Sequence, residues 1–158
     1  MKTLILLRHA KTEPQSLIKT DFDRRLTDVG KARQNKISVK LKELNIEPDC
    51  ILCSTAIRTK ETLTELLSVT KWNSQVYFHD ELYHASASDI LNTLKKYEAS
   101  NEQILVIGHN FGISTLANLL SKTGAEEMVT SGVHIFHFDD AIEPYQGDLY
   151  LSLKPKTV

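Results

Sequence analysis

The chain has 158 residues, 41% of them hydrophobic and 25% charged, with a formal net charge of -1. That length suits one domain spanning 1–158 with a core of useful size, and the composition excludes a disordered or low-complexity chain. The near-zero net charge excludes recruitment to nucleic acid or to a membrane surface by overall charge, so any anion must be met by local clusters.

In chain order, "TLILL" (3–7) comes first, and a continuous apolar run of this kind reads as a strand buried on both faces. It is too short for a signal peptide, and no segment could cross a bilayer, so a cytoplasmic protein is expected. The run ends in Arg8 and His9, which a buried strand does not need for packing. "KTEPQSLIKTDFDRR" (11–25) is the longest irregular stretch, about where a functional loop would sit. Thr27 then reads as the N-cap of a helix that carries Ile37, Leu41 and Leu44 at helical spacing.

"CILCS" (50–54) is the second strand, and "AIRTKETLTELL" (56–67) places Ala56, Leu63 and Leu67 on one side of a second helix. "QVYFH" (75–79) is the third strand, followed by the helical "SDILNTLKKY" (88–97), with Ser88 as its expected cap. "QILVIG" (103–108) is the fourth strand. "FGISTLANLL" (111–120) then repeats Ile113, Leu116, Ala117 and Leu120 in the i, i+3, i+4, i+7 pattern. "VHIFHF" (133–138) and "LYLSLK" (149–154) have only the polar "DDAIEPYQGD" (139–148) between them, which predicts an antiparallel hairpin at a sheet edge. The alternation predicts an α/β fold: a mainly parallel mixed sheet with helices on both faces.

Ligands of such sheets bind beyond the carboxyl ends of the strands. Arg8 and His9 follow the first strand, Ser54 and Arg58 the second, Asp80 and Glu81 the third, and Gly108, His109 and Asn110 the fourth. A lone His or Arg at such a place is usually structural or solvated, but equivalent positions on four strands point to one site. The types suit a phosphoryl group. Arginine offers a planar fork of donors matched to phosphate oxygens, and helix N-termini at 55–58 and 110–113 would add N–H groups. Guanidinium charge disfavours imidazolium, so a neutral His9 can attack phosphorus while His109 stabilises the transferring group.

Four segments carry a resemblance. "LLRHAKTE", "RRLTDVGKARQ", "CSTAIRTKET" and "VIGHNFGI" are similar, in order, to the signature segments of the histidine phosphatase superfamily, also called phosphoglycerate mutase-like. The resemblance runs from Leu4 to Ile113 and implies a three-layer fold, a phosphohistidine intermediate on His9, and no metal or cofactor. It implies phosphate contacts from Arg8, Arg58 and His109. Arg24 matches the Arg ahead of Leu-Thr and is expected to reach the phosphate too. The family's proton donor, a carboxylate after the third strand, falls on Glu81 in preference to Asp80; the plain alternative is that both are surface acids.

The segment from Glu81 to His109 is taken up by one helix and one strand, leaving no lid. Size and the "RRLT" and "DEL" segments look like the short branch of bacterial phosphohistidine phosphatases. The resemblance thus implies a phosphorylated protein as partner, such as a histidine phosphotransfer domain. The alternatives are a small phosphate ester as substrate or a phospho-ligand binding module without catalysis, and the intact Arg8, His9, Arg58 and His109 set argues against the latter.

Other polar residues have structural readings. Cys50 and Cys53 fall three apart on a strand and face opposite sides, as do His134 and His137, so neither pair can share a metal. His79 and His84 read as lining or structural. "GHNFG" has Asn110 where a nucleophilic serine elbow needs Ser, and no Walker A or dinucleotide glycine motif is present.

Overall fold

The computed structural model describes every residue from Met1 to Val158. Strands β1 (Lys2–Arg8), β2 (Cys50–Ser54), β3 (Gln75–His79), β4 (Gln103–Gly108), β5 (Val133–Phe138) and β6 (Asp148–Leu153) form one sheet in the order β3-β2-β4-β1-β5-β6. The first four are mutually parallel; β5 runs antiparallel to β1, and β6 antiparallel to β5 at the edge. This is the mixed sheet the apolar runs predict, with the last two strands as the expected hairpin.

The sheet is central because its strands are apolar on both faces. Leu4, Leu6, Cys50, Leu52, Ile104 and Val106 pack into one core with Ile90 and Leu94 of helix α3 (Ala87–Glu98) and Ile113, Leu116 and Leu120 of α4 (Gly112–Leu120). The intervening Ile5, Leu7, Ile51, Cys53, Leu105 and Ile107 pack on the other side with Ile37 and Leu41 of α1 (Asp28–Glu43) and Leu63 and Leu66 of α2 (Ile57–Thr70). Alternation along each strand thus serves two cores, one per pair of helices. Cys50 and Cys53 fall into different cores, both buried and free, and burial raises their thiol pKa values to about 11 and about 12. No helix is long and apolar enough to cross a membrane.

Helix starts follow local chemistry. Thr27 caps α1 as expected, its hydroxyl accepting from the Gly30 amide at 2.9 Å. A Cβ at Gly30 would sit 2.1 Å from the Lys11 carbonyl oxygen, so only glycine lets α1 approach the chain leaving β1. The cap of α3 corrects the expectation: it is Ser86, not Ser88. Ser86 accepts from the Asp89 amide, and the Asp89 carboxylate accepts from the Ser86 amide, a reciprocal box that Ser88, followed three residues later by Leu91, cannot form.

Candidate active site

β1 and β4 pair with Arg8 opposite Gly108 and Leu7 opposite Ile107, so the next residues, His9 and His109, emerge side by side. Their ring centroids are 5.3 Å apart. Helices α1 and α4 leave these two strands toward opposite faces of the sheet, and the connections diverge at this point. A crevice therefore opens beyond β1 and β4, where open α/β sheets bind ligands.

His9 is buried and held on both sides: its amide donates to the Gly108 carbonyl at 3.2 Å, and the Ser131 amide donates to its carbonyl at 3.0 Å. His9 Nδ1 lies 2.8 Å from the Ala10 carbonyl oxygen. A carbonyl can only accept, so Nδ1 carries the proton and Nε2 keeps its lone pair. Burial lowers the His9 pKa to about 3 against the opposing Ala10 hydrogen bond, and the charges of Arg58, Arg8 and Arg24 push the same way. At neutral pH the ring is therefore an uncharged base and nucleophile.

His109 is oriented by Ser54, the last residue of β2, through a 2.9 Å contact between His109 Nε2 and Ser54 Oγ. Ser54 Oγ accepts the Ala56 amide at 3.3 Å, and His109 Nε2 is the acceptor within reach of its own proton. That assigns the ring proton to Nδ1 and makes His109 Nδ1–H a buried donor. Burial, then His9 and Arg58, lower the His109 pKa to about 3, so it acts as a neutral donor.

Arg58 sits in the first turn of α2 and Arg8 at the end of β1. Arg8 Nη1 donates to the Met128 carbonyl at 3.0 Å. Four buried side-chain polar atoms in the protein have no hydrogen-bond partner, and three of them are Arg8 Nε, Arg58 Nε and His109 Nδ1. Buried donors are nearly always paired, so three left open around one nucleophile describe a site for an acceptor with several oxygens. A phosphoryl group fits that donor set.

Arg24 joins the cluster but directs most of its donors to protein: Nε and Nη2 bond Asp21 at 3.0 and 2.8 Å, and Nη1 bonds Thr12 Oγ1 and the Glu13 carbonyl. Neither of the two acids after β3 bonds an arginine. Asp80 accepts from Thr55 Oγ1 at 2.6 Å, and Glu81, with its side chain 53% exposed, pairs with His79 at 3.2 Å. The loop after β3 reaches the site through Tyr83 instead, whose ring packs edge-on against His109 at 5.6 Å and lies 5.8 Å from the Arg58 guanidinium carbon. Asp21 and Tyr83 are the residues that sequence reasoning missed. An aspartate in a long loop and a tyrosine past a strand end give no signal of their own.

His79 also contacts the Tyr97 hydroxyl at 2.7 Å, and the His84 ring packs tilted against Tyr83 at 4.0 Å. His134 bonds Ser152 and the Glu126 carbonyl, while His137 stacks on Tyr150, so the two point to different neighbours. No group of three or more His, Cys, Asp or Glu side chains is placed to hold a metal ion.

Comparison with known proteins agrees with this geometry. The family model described as histidine phosphatase superfamily (branch 1) matches residues 4–90. A chloroplast protein of Arabidopsis thaliana, itself uncharacterised, is 33% identical over 129 residues, which cover 76% of this chain and 59% of that protein. The chain thus spans less than two thirds of that relative's length. A structure described as a candidate phosphohistidine phosphatase SixA from Agrobacterium tumefaciens superimposes with a TM-score of 0.85 at 24% identity, covering 98% of both chains. The protein histidine phosphatase SixA complexed with tungstate superimposes with a TM-score of 0.84 at 20% identity, again over 98% of both chains. At these identities the two structures establish the fold.

Proposed function

Because the chain belongs to the histidine phosphatase superfamily, branch 1, we propose that it is a phosphatase that hydrolyses phosphohistidine on a signalling protein, with His9 as nucleophile. The observation that carries this reading is the open donor set, Arg8 Nε, Arg58 Nε and His109 Nδ1, around a buried neutral histidine with a free Nε2.

In the first step Nε2 of His9 forms a bond to phosphorus as the bond from phosphorus to the substrate nitrogen breaks. The departing imidazole recovers its electron pair and leaves neutral, because a phosphorylated imidazole can carry its own proton. Negative charge on the three equatorial oxygens grows toward donors already in place, which is where electrostatic preorganisation acts most strongly. In the second step a water oxygen bonds to phosphorus, the His9–phosphorus bond breaks, and Nε2 regains its electron pair. The water's protons pass to orthophosphate and solvent.

Three features favour a protein substrate over a metabolite. No segment between Glu81 and His109 forms a lid; it is the loop after β3, α3 and β4. Two recesses of about 500 and 510 Å³ lie against α1 and the C-terminal turn and do not enclose the histidine pair. Leu17 and Ile18 of the loop between β1 and α1 are fully exposed, and Phe111, two residues past His109, is 73% exposed. Small esters gain from enclosure, whereas a phosphoryl group on a protein surface brings its own walls.

The test compares kcat/KM for a phosphohistidine-bearing phosphotransfer domain with that for sugar and glycerate phosphates, and traps the phosphoenzyme by rapid quench. We expect the phosphoprotein to be preferred and an acid-labile, base-stable label that His9→Ala abolishes. A metabolite hydrolysed far faster than any phosphoprotein would move the chain to a small-molecule phosphomonoesterase, and a label that survives His9→Ala would remove the nucleophile.

A further inference from the structure

Asp21 lies in the loop between β1 and α1, in a short 3-10 turn, Asp21–Asp23. An acidic side chain there would ordinarily face water, yet this one gathers cations. Its Oδ1 accepts from Arg24 Nε and Nη2 at 3.0 and 2.8 Å, and from Gln15 Nε2 at 3.0 Å. Its Oδ2 accepts from Arg58 Nη2 at 3.1 Å and from the Tyr83 hydroxyl at 2.6 Å. Its backbone carbonyl accepts from Arg58 Nη1 at 2.8 Å. Burial opposes its ionisation, but hydrogen bonds from Tyr83 and Arg24 and the Arg58 charge outweigh that and hold the carboxyl well below the usual range.

We propose that Asp21 is a positioning residue for the phosphoryl site: it fixes Arg58 so that its Nε–H is delivered to the transferring group. The proposal rests on the phosphatase reading and extends it to a residue that does not touch the substrate.

The geometry supports each part. The Arg58 side chain is only 5% exposed, and both of its Nη groups are bonded to Asp21. A guanidinium held along that edge cannot rotate about its long stem, and its third nitrogen, the buried Nε–H, stays without a protein partner. Transition-state stabilisation depends on donors fixed before the charge develops. Arg24 and Arg58 both act electrostatically on His9, and two like charges near one buried ring repel. A carboxylate bridging them offsets that repulsion. The same carboxylate anchors Tyr83, whose ring packs on His109 and Arg58, so one side chain ties the β1–α1 loop to the loop after β3 across the site.

Two other roles are possible on chemical grounds, and experiment separates them. Asp21 could brace the loop without steering Arg58, or it could be an internal anion that phosphate must evict. The test is Asp21→Asn, which keeps shape and removes charge, assayed on an aryl phosphate with a thermal melt as a folding check. We expect kcat to fall by on the order of 100-fold, the cost of a misplaced rather than a missing group, with KM little changed. We also expect no further loss when the change is added to Arg58→Ala, because the aspartate acts through that arginine. Binding of inorganic phosphate, measured by calorimetry without turnover, should not tighten.

Losses that multiply in the double variant would overturn the proposal in favour of a loop brace. Tighter phosphate binding with unchanged kcat would overturn it in favour of an evicted anion. Should Asp21→Asn fail to fold, Asp21→Glu, which keeps the charge but moves it by one methylene, is carried through the same cycle. Wild-type protein that turns over no phosphorylated substrate would defeat the phosphatase reading itself, whereas active wild type with a silent Asp21→Asn defeats only the positioning role.

Discussion

Acidification gives the sharpest prediction, because His9 and His109 are both buried neutral. Each has its pKa lowered to about 3, burial being the main cause in both. In the unfolded chain both titrate near the ordinary value of about 6.5. As the pH falls through that value the unfolded state takes up two protons that the native state refuses, so stability must fall. At about pH 4.5, two units below the unfolded value, the loss relative to pH 7 is about 2.5 kcal/mol per ring, at 1.36 kcal/mol per unit. The two rings together lose about 5 kcal/mol, comparable with the whole stability of many domains. Asp21, whose pKa is depressed, protects above its ordinary value of 3.8 and is lost only below it, so it does not contribute in this window.

The assay is denaturant unfolding at a series of pH values between 7 and 4.5, on wild type and on His9→Asn. The asparagine amide can replace Nδ1–H on the Ala10 carbonyl but cannot titrate. Wild type should lose stability progressively below about pH 6.5, and His9→Asn should lose about half as much. A flat wild-type curve, or two parallel curves, would refute the claim that His9 is held neutral by its surroundings.

Two further outcomes test the site directly. Arg58→Ala should lower kcat by about 10²–10³, and Arg58→Lys should restore only part of it, since a point charge cannot reproduce the fork; unchanged kcat in the alanine variant counts against a site role. Glu81→Gln should lower hydrolysis of an alkyl phosphate ester by about 10² and that of phosphohistidine less, because the alkoxide needs a proton donor and the imidazole brings its own proton. Equal losses on both substrates would remove the leaving-group argument.

The strands and the histidine pair were legible in the sequence because both are set locally. Apolar runs mark the six strands. The parallel register of β1 and β4 then gives the residue just past each strand a defined place in space, and His9 and His109 meet for that reason. The cap of α3 is legible too, in the spacing from Ser86 to Asp89 rather than in the serine nearest the first apolar residue. Strand order was not, since pairing joins segments far apart in the chain. The partners of Asp21 lie 37 and 62 positions away at Arg58 and Tyr83, and nothing in the loop's own composition names them.

The contrast between the two acids follows from that strand order. β3 is the outermost strand, beyond β2, so its end lies about 10 Å from the end of β4 and farther still from β1, at about 4.8 Å per strand. The carboxylates just past β3 find partners close by: Asp80 accepts from Thr55 of the β2–α2 junction, and Glu81 pairs with His79 of β3 itself. Two residues later the chain has turned inward, and Tyr83 arrives against His109. The loop after β1 starts at the crevice and has no strand to cross. Its fold back through the bridge between Thr12 and Leu26 brings Asp21 onto Arg58. Equivalent position after a strand therefore brings His9 and His109 together past β1 and β4, which border the crevice. The acid that bonds Arg24 and Arg58 thus comes from the loop nearest the nucleophile, and the loop after β3 adds Tyr83 beside the acids at its start.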